Sequence, residues 1–399
     1  MNALYISYDG ILDPLGGSQV MPYLEGLSKD INFSLLTFEK KHKLKNSPGP
    51  GSIKDTFSSK GISWEYLIYH KRPSIPATLF DIFSGVVKSI SLLRSRGVGV
   101  VHARGYISAC IALFLKKTYK TKFIFDMRGL WPDEKVDAGS WKKSDLTYKV
   151  FKYLEKLFFR YCDWVVVLSQ KGKLLLEKAY PFVNGKISFI PTCVDLDLFD
   201  YRSIKPAPEG FIKKNHDFIF LYNGSLGSWY MLEEMIDFFL ASIGYYKNPL
   251  FIFLNESEGP LIESRMRAKG IGPEAYSVKF FKRQSLSAWI RSADACLFFI
   301  RPVFSKIVSC PTKFAEALAC GVPVVINSGI GDTEDIVKDN KVGVVCEAFS
   351  RRSYEQAIAG LSALISEGQK LKERCRQVSQ KYFSLKDGVK EYLDIYQKI

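Results

Sequence analysis

Three groups of residues along this chain combine charge, glycine and strand-end placement in ways that could do chemistry. The first is Ser305 to Asp335, SKIVSCPTKFAEALACGVPVVINSGIGDTED. A Ser/Cys/Pro turn with Lys306 and Lys313 feeds a short helix that projects Glu316; Gly321 then breaks the helix before a buried strand, and a loop with Gly329 and Gly331 closes the unit. A loop that feeds a helix N-terminus, backed by a buried strand, is how open α/β sheets hold phosphates. The second and third groups are His102-Ala103-Arg104-Gly105 and Asp126-Met127-Arg128-Gly129-Leu130-Trp131-Pro132-Asp133-Glu134. Each follows a strand-like run, and ligands of open α/β sheets sit beyond the carboxyl ends of strands. His102, Asp126 and Arg128 could orient a hydroxyl group and stabilise a departing phosphate.

The elements needed to position these residues are legible as apolar runs. Strand signals occur at 3–7, 33–38, 64–68, 98–102, 122–126, 164–168 and 187–190, then at 218–224, 250–254, 278–281, 295–300, 322–326 and 343–346, separated by helix-length segments. Alternating β and α units imply parallel sheets. Gly10 to Gly17 reads as a glycine-rich loop before a helix at 20–27, but the spacing is not that of a nicotinamide fingerprint. Lys40 to Lys60 reads as a mobile polar loop. Residues 145–162 form a helix with Leu146, Val150, Leu154, Leu157 and Phe158 on one face and a stripe of Lys149, Lys152, Lys156 and Arg160 beside it. Such a helix suits an anionic leaflet.

PTKFAEALACGVPVV resembles the donor-site signature of family 4 glycosyltransferases, retaining enzymes with two Rossmann-like domains. The family often carries two glutamates separated by seven residues. Glu316 matches the second, which implies that it holds the ribose hydroxyls of a nucleotide sugar; the first would fall at Val308. The turn Ser309-Cys310-Pro311-Thr312-Lys313 is similar to a subgroup that reads S-x-P-T-K. The family's usual arginine and lysine after the first strand of the second domain are replaced by Gly224-Ser225-Leu226-Gly227. The resemblance therefore leaves Arg301, Lys306 and Lys313, with the amides of Ser225 to Gly227, to neutralise the donor diphosphate. Arg283 stands where the family holds the nucleotide base. Gly16 and Gly17, in GGSQV, are similar to the family's N-terminal glycine loop, whose amides approach the donor. FDMRGLWPDE resembles an acceptor-side segment, IPTCVDLDLF the family's hinge, and residues 382–396 its terminal helix, which packs back on the first domain.

What the resemblance implies is an α/β protein of two Rossmann-like domains facing across a cleft. The expected domains are 1–199 completed by 382–399, a linker at 200–216, and 217–381. The expected reaction moves a sugar from a nucleotide diphosphate sugar to a hydroxyl acceptor, lipid-linked or glycan, with retention, in cell-surface polysaccharide or glycoconjugate synthesis. The leaving phosphate would accept the acceptor's proton on the same face. No D-x-D pair stands at a strand end, so the expectation is no metal and no cofactor beyond the donor substrate. The alternatives are a nucleotide-sugar epimerase of the same fold and a non-catalytic subunit that binds sugar nucleotides.

Composition narrows the class. The chain has 399 residues, 47% hydrophobic and 24% charged, which are globular values and suit two domains. Its net charge is +15, and residues 1–200 hold 29 Lys and Arg against 19 Asp and Glu, so the first half favours an anionic surface or acceptor. No nucleic-acid motif accompanies the charge, so nucleic acid is not expected. The eight cysteines lack C-x-x-C spacing and sit in apolar runs, as reduced thiols do in a cytosolic protein. The N-terminus lacks the charged start of a signal peptide, and the apolar runs read as shorter than the ~18 residues of a spanning helix. The expected location is the cytoplasm, peripheral on the inner face of the membrane.

Overall fold

A computed structural model describes residues 1–203 and 216–399. Most of the stretch expected to be a linker, 200–216, thus lies outside the described residues. The chain divides into two compact units, Met1–Pro191 with Leu385–Ile399, and Thr192–Ser384.

In unit 1 seven parallel strands run in the order β3-β2-β1-β4-β5-β6-β7. They are β1 (Asn2–Ser7), β2 (Asn32–Glu39), β3 (Ile62–Ile68), β4 (Val100–Arg104), β5 (Lys122–Asp126), β6 (Trp164–Val167) and β7 (Ile187–Phe189). In unit 2 six parallel strands run β10-β9-β8-β11-β12-β13. These are β8 (Phe218–Asn223), β9 (Pro249–Leu254), β10 (Tyr276–Lys279), β11 (Ala295–Leu297), β12 (Val324–Asn327) and β13 (Gly343–Cys346). Every one of the strand runs read from the sequence is present. Such strands are legible because a parallel sheet covered on both faces is apolar throughout; β8 and β9 are buried at every position. In both sheets the order reverses beside the first strand, between β1 and β4 and between β8 and β11. That reversal is where doubly wound sheets open a crevice for ligands.

Five of the helices carry or flank the polar residues at the strand ends: α1 (Ser74–Arg96), α2 (Gly105–Tyr119), α3 (Leu146–Tyr161), α4 (Thr312–Ala319) and α5 (Leu385–Lys398). Helix α5 belongs to unit 1 although it follows unit 2 in sequence. It is separate from the preceding helix, Gln369–Phe383, with extended Ser384 between them. Tyr392 and Tyr396 of α5 are buried against Tyr23, Phe33 and His102, and Val389 abuts Gly26, where an added Cβ would lie 2.6 Å from a Val389 methyl.

Three readings from the sequence are corrected. Lys40 to Lys60 is not a bare loop: it folds helices at Lys41–Lys45 and Pro50–Ser58. Gly16 and Gly17 lie inside a short helix, Pro14–Gln19, started by the fixed φ of Pro14. Helix α1, 23 residues long with a mean hydropathy of 1.4 over its most apolar window, is long and apolar enough to cross a membrane by length and composition, against the reading that no run is.

Candidate functional site

The first cluster stands on the strand ends of unit 1. Arg104 ends β4, Asp126 ends β5, and the two are paired neighbours in the register. His102 is buried, with Nδ1 2.8 Å from the Tyr396 hydroxyl and Nε2 3.7 Å from Asp126 Oδ2. The Tyr392 hydroxyl donates to Asp126 Oδ2 at 3.2 Å. Arg128 and Arg104 approach the carboxylate at 3.6 and 3.8 Å, and both guanidiniums donate to Gln19 Oε1. Burial raises the Asp126 carboxyl, but Arg128, the His102 bond and Arg104 outweigh it and hold the pKa at about 2. Burial pushes His102 down, against the pull of Asp126, so the ring is neutral near pH 7. Arg128 adopts a positive φ of 60°, a costly conformation for a branchless but bulky residue, and one that turns its guanidinium toward the carboxylate of the preceding strand end.

The cluster is asymmetric in charge. One ionised carboxylate faces two guanidiniums, and the Nε atoms of Arg104 and Arg128 are buried with no hydrogen-bond partner. Both arginines, with Gly129, Trp131, Glu134 and Lys135, line a cavity of about 1020 Å³. His102 and Asp126 do not line it; they stand behind the arginines. Most of the rest of the wall is apolar and comes from α1, α2 and α3.

Gly16 and Gly17 stand apart in role. A Cβ on Gly16 would meet the Gly10 carbonyl oxygen at 2.5 Å and Ile11 Cα at 2.6 Å, so the glycine there permits close backbone packing. The Gly17 amide donates to Asp13 O at 3.3 Å, and nothing stands where its Cβ would be.

The second cluster belongs to unit 2. Helix α4 is buried on every face from Lys313 to Ala319, so Glu316 and Lys313 are both carried inside. Gly321, at φ 71°, ends the helix in the left-handed conformation that lets β12 follow. Asn223, the last residue of β8, donates to Glu316 Oε2 at 3.5 Å. Arg283 Nη2 is 3.2 Å from Glu316 Oε1 as an ion pair, without the alignment of a hydrogen bond. Burial raises the Glu316 pKa above the usual carboxylate range, opposed by Arg283, Lys313 and the Asn223 bond. The acceptor capacity of this carboxylate is therefore largely unspent.

Lys313 does not reach an acceptor. Its Nζ lies 3.5 Å from the Tyr230 ring centroid and 4.0 Å from that of Tyr222, with no hydrogen-bond partner. Burial pushes its pKa well down, and Glu316 pulls it back up. The aromatic faces supply part of the solvation that water would otherwise give the ammonium. Lys306 Nζ lies 3.8 Å from the Trp229 ring centroid. Its carbonyl accepts from the Gly331 amide at 3.0 Å, so the cation turn and the glycine loop are tied together. Arg301 and Ser225 are exposed, and Val308 is buried.

Sequence reasoning missed Glu258. Its carboxylate accepts from the Leu226 amide at 2.7 Å and the Gly227 amide at 3.0 Å, two of the loop amides expected to serve a diphosphate. Burial raises its pKa, but the Asn255 bond and these two amides outweigh that and hold it below the ordinary value. The loop thus forms an anion-holding turn that carries a carboxylate of the same unit. The signal in sequence was Asn255-Glu256-Ser257-Glu258, in which Asn255 Oδ1 accepts from the Ser257 and Glu258 amides as an Asx turn.

The basic stripe of α3 is broken. Lys152 turns inward, bonding Asp133 Oδ2 at 3.0 Å and the fully buried Glu155, while Lys149, Lys156 and Arg160 are exposed. The apolar face is also displaced: Leu146 is 75% exposed and Val150 44%, while Phe158 is buried. Among the described residues, no group of three or more His, Cys, Asp or Glu is placed to hold a metal ion.

The chain thus comprises two parallel doubly wound, Rossmann-like units, each with a polar cluster at its strand ends. Residues 28–198 match the model of Glycosyltransferase Family 4, and residues 219–363 that of Glycosyl transferases group 1. The chain belongs to the family 4 glycosyltransferases. It is 23% identical over 306 residues to an uncharacterized glycosyltransferase of Methanocaldococcus jannaschii, MJ1059, covering 68% of this chain and 69% of that protein. Among solved structures, sucrose-phosphate synthase from Thermosynechococcus elongatus superposes with a TM-score of 0.75 at 16% identity, over 100% of this chain and 98% of that one. Anabaena HepE in complex with UDP-glucose gives 0.68 at 13% identity over the full length of both.

Proposed function

We propose that this glycosyltransferase moves a sugar from a nucleotide diphosphate sugar to a hydroxyl acceptor with retention of configuration, without a metal ion, in the synthesis of a cell-surface polysaccharide or glycoconjugate. The observation that carries the reading is Glu316. A carboxylate 2% exposed, with one long hydrogen bond and one poorly aligned ion pair, is costly to bury unless something completes its coordination. A ribose 2′,3′-diol offers two donors at the spacing of one carboxylate. Arg283, 40% exposed beside it, is placed for the base side of the nucleotide. The complex of HepE with UDP-glucose, in a similar fold, supports a nucleotide sugar as the donor.

Counter-charge for the departing diphosphate comes in this account from Lys306, Lys313 and Arg301, with the Ser225–Gly227 loop. The loop's readiness to hold an anion is supported by the carboxylate of Glu258 on its amides. Asp126 and His102 act through Arg104 and Arg128, holding the two guanidiniums where an acceptor's anionic or hydroxyl groups would lie. Binding that stabilises diphosphate only as it departs raises kcat, which is the task of such fixed cations. The protein works in the cytoplasm, near the inner face of the membrane, if its acceptor is lipid-linked.

Thermal shift across UDP-, GDP-, ADP- and TDP-sugars tests the donor half. A ligand at 100 times its Kd should stabilise by about 2.7 kcal/mol. One base class should raise Tm in the wild type and fail to do so in Glu316→Ala. No shift with any of them would contradict the reading, and epimerised donor in the absence of acceptor would replace it.

A further inference from the structure

The cations of the unit 2 cluster rest on aromatic rings rather than on carboxylates. The loop after β8, Gly224-Ser225-Leu226-Gly227-Ser228-Trp229-Tyr230, has no charged side chain of its own. It contributes two rings instead. Each lies against a lysine, one from the turn at Phe304–Val308 and one from the first turn of α4. Lys306 Nζ is 3.8 Å from the Trp229 centroid, and Lys313 Nζ is 3.5 Å from that of Tyr230 and 4.0 Å from that of Tyr222.

The rings are firmly mounted. Tyr230 and Ile300 form an antiparallel bridge, the Trp229 carbonyl accepts from the Arg301 amide at 2.9 Å, and the Met231 amide donates to the Phe299 carbonyl at 3.0 Å. Residues 229–231 are therefore fastened along the chain that leaves β11. The Tyr222 ring meets that of Tyr230 edge to face at 5.5 Å, and its hydroxyl donates to Ser225 O at 2.7 Å.

Lys313 is 7% exposed, and its Nζ has no hydrogen-bond partner. The carboxylates that act on it, Glu316 and Glu258, direct their oxygens elsewhere: the first to Asn223 and Arg283, the second to Asn255 and the Leu226 and Gly227 amides. Burial favours the neutral amine, and Glu316, Cys296 and Glu258 oppose it. A ring face attracts a cation through its quadrupole and leaves the charge intact. A carboxylate in the same place would cancel that charge and occupy the N–H groups. The ammonium of Lys313 can thus offer its three donors to an incoming anion beside Gly224, whose Cβ position lies 3.7 Å from Nζ.

We propose that Tyr230, with Tyr222, is a positioning residue for sugar transfer, its ring face holding Lys313 as an uncommitted cation for the donor diphosphate, and that Trp229 places Lys306 in the same way. The assignment rests on the nucleotide-sugar reading and names the residues that aim its counter-charge. Each lysine stays on its ring when the anion arrives, one side of the ammonium against the ring and the other against phosphate oxygens. A ring that only filled space would be indifferent to its own electron density.

The test varies that density at constant shape in the full chain, with UDP, GDP, ADP, TDP, their nucleosides and inorganic pyrophosphate as probes in titration calorimetry. Tyr230→Phe keeps the ring face and should retain binding of the nucleoside diphosphate. Tyr230→trifluorophenylalanine, nearly the same shape with an electron-poor face, should weaken it about 5–30-fold relative to Tyr230→Phe. Pyrophosphate should weaken alike and the matching nucleoside should not. Trp229→monofluoro-, difluoro- and trifluorotryptophan should give a graded fall. The alkaline limit of binding should also move to lower pH with trifluorophenylalanine, because Lys313, faced by Tyr222, Tyr230, Glu316, Glu258 and Cys296, would then release its proton more readily. Equal binding by Tyr230→Phe and its fluorinated counterpart would overturn the proposal. So would tighter binding on fluorination, which would make the rings competitors for the lysines, or an equal loss for nucleoside and nucleoside diphosphate. If pyrophosphate follows the ring density but no nucleoside diphosphate binds, the ring assignment stands and the nucleotide-sugar reading falls. A nucleoside diphosphate that binds without regard to ring density removes the ring assignment alone, and no binding by any probe removes both.

Discussion

Replacing Glu316 separates a binding carboxylate from a structural one, because the two roles predict opposite changes in stability. Burial raises its pKa in the folded chain above the ordinary 4.5. Between 4.5 and that raised value the folded state holds a proton that the unfolded state has lost. Stability from this group is therefore present below pH 4.5 and lost as pH rises through the folded pKa. At about pH 7.5, above the unfolded pKa, the raised pKa makes this group a liability in the free protein, so Glu316→Gln should leave Tm unchanged or raise it. The same substitution should weaken donor use. A charged hydrogen bond contributes about 1.5–3 kcal/mol, and losing one such bond to a ribose hydroxyl lowers kcat/KM by about 10–100-fold. Glu316→Ala should cost more than Glu316→Gln, which keeps the shape and one acceptor. The assay is thermal melting of each variant with and without donor, followed by initial rates. A folded Glu316→Ala protein with wild-type donor affinity would refute the reasoning. So would a large fall in Tm for Glu316→Gln in the free protein, which would make the residue a structural partner of Arg283 and Asn223.

Lys152→Ala should destabilise by about 2 kcal/mol or more in urea unfolding, because it strands the buried Glu155 and leaves Asp133 without its ammonium, whereas Lys149→Ala and Lys156→Ala should be near neutral. Asp126, held at about 2 against 3.8, contributes stability present above pH 3.8 and lost as pH falls toward 2; the wild type should lose about 2 kcal/mol over that window that Asp126→Asn does not. Gly16→Ala forces a Cβ into the Gly10 and Ile11 backbone and should be strongly destabilising, while Gly17→Ala, in open helical space, should be neutral or gain about 0.5–1 kcal/mol. Val308→Glu would place a carboxylate at a position 1% exposed, so its first effect should be a lower Tm, and any altered sugar preference must be read on the folded fraction.

The sheets were legible because parallel strands buried on both faces announce themselves as apolar runs, and the strand ends then told where to look for His102, Arg104, Asp126 and Arg128. Glu316 was legible only through resemblance, since periodicity alone could not show that α4 is buried on every side. Composition misled at Lys40 to Lys60, where lysine, serine and glycine suggested a loop but short helices form. The stripe of α3 misled for a different reason: helical spacing places Lys152 beside Lys149 and Lys156, but only tertiary structure puts Asp133 and Glu155 within its reach. The two faces of α1 were present in the sequence as two interleaved four-residue rows, Ile75/Leu79/Phe83/Val87, which is exposed, and Ala77/Asp81/Gly85/Ser89, which is buried. Which row faces inward depends on Ile111 and Tyr8, residues far away in the chain. At Glu258 the sequence marks only the Asx turn of Asn255; the Leu226 and Gly227 amides that its carboxylate accepts from lie about thirty residues away and carry no side-chain pattern.

The most direct test of sugar transfer is proton NMR of the product formed from the donor that raises Tm, with membrane lipid extract as acceptor and EDTA present throughout. The account predicts a lipid-borne sugar with the anomeric configuration of the donor, formed at the same rate with and without chelator. An inverted anomeric proton, a rate restored only by added Mg²⁺ or Mn²⁺, or a donor that is consumed without any sugar reaching the lipid would contradict it.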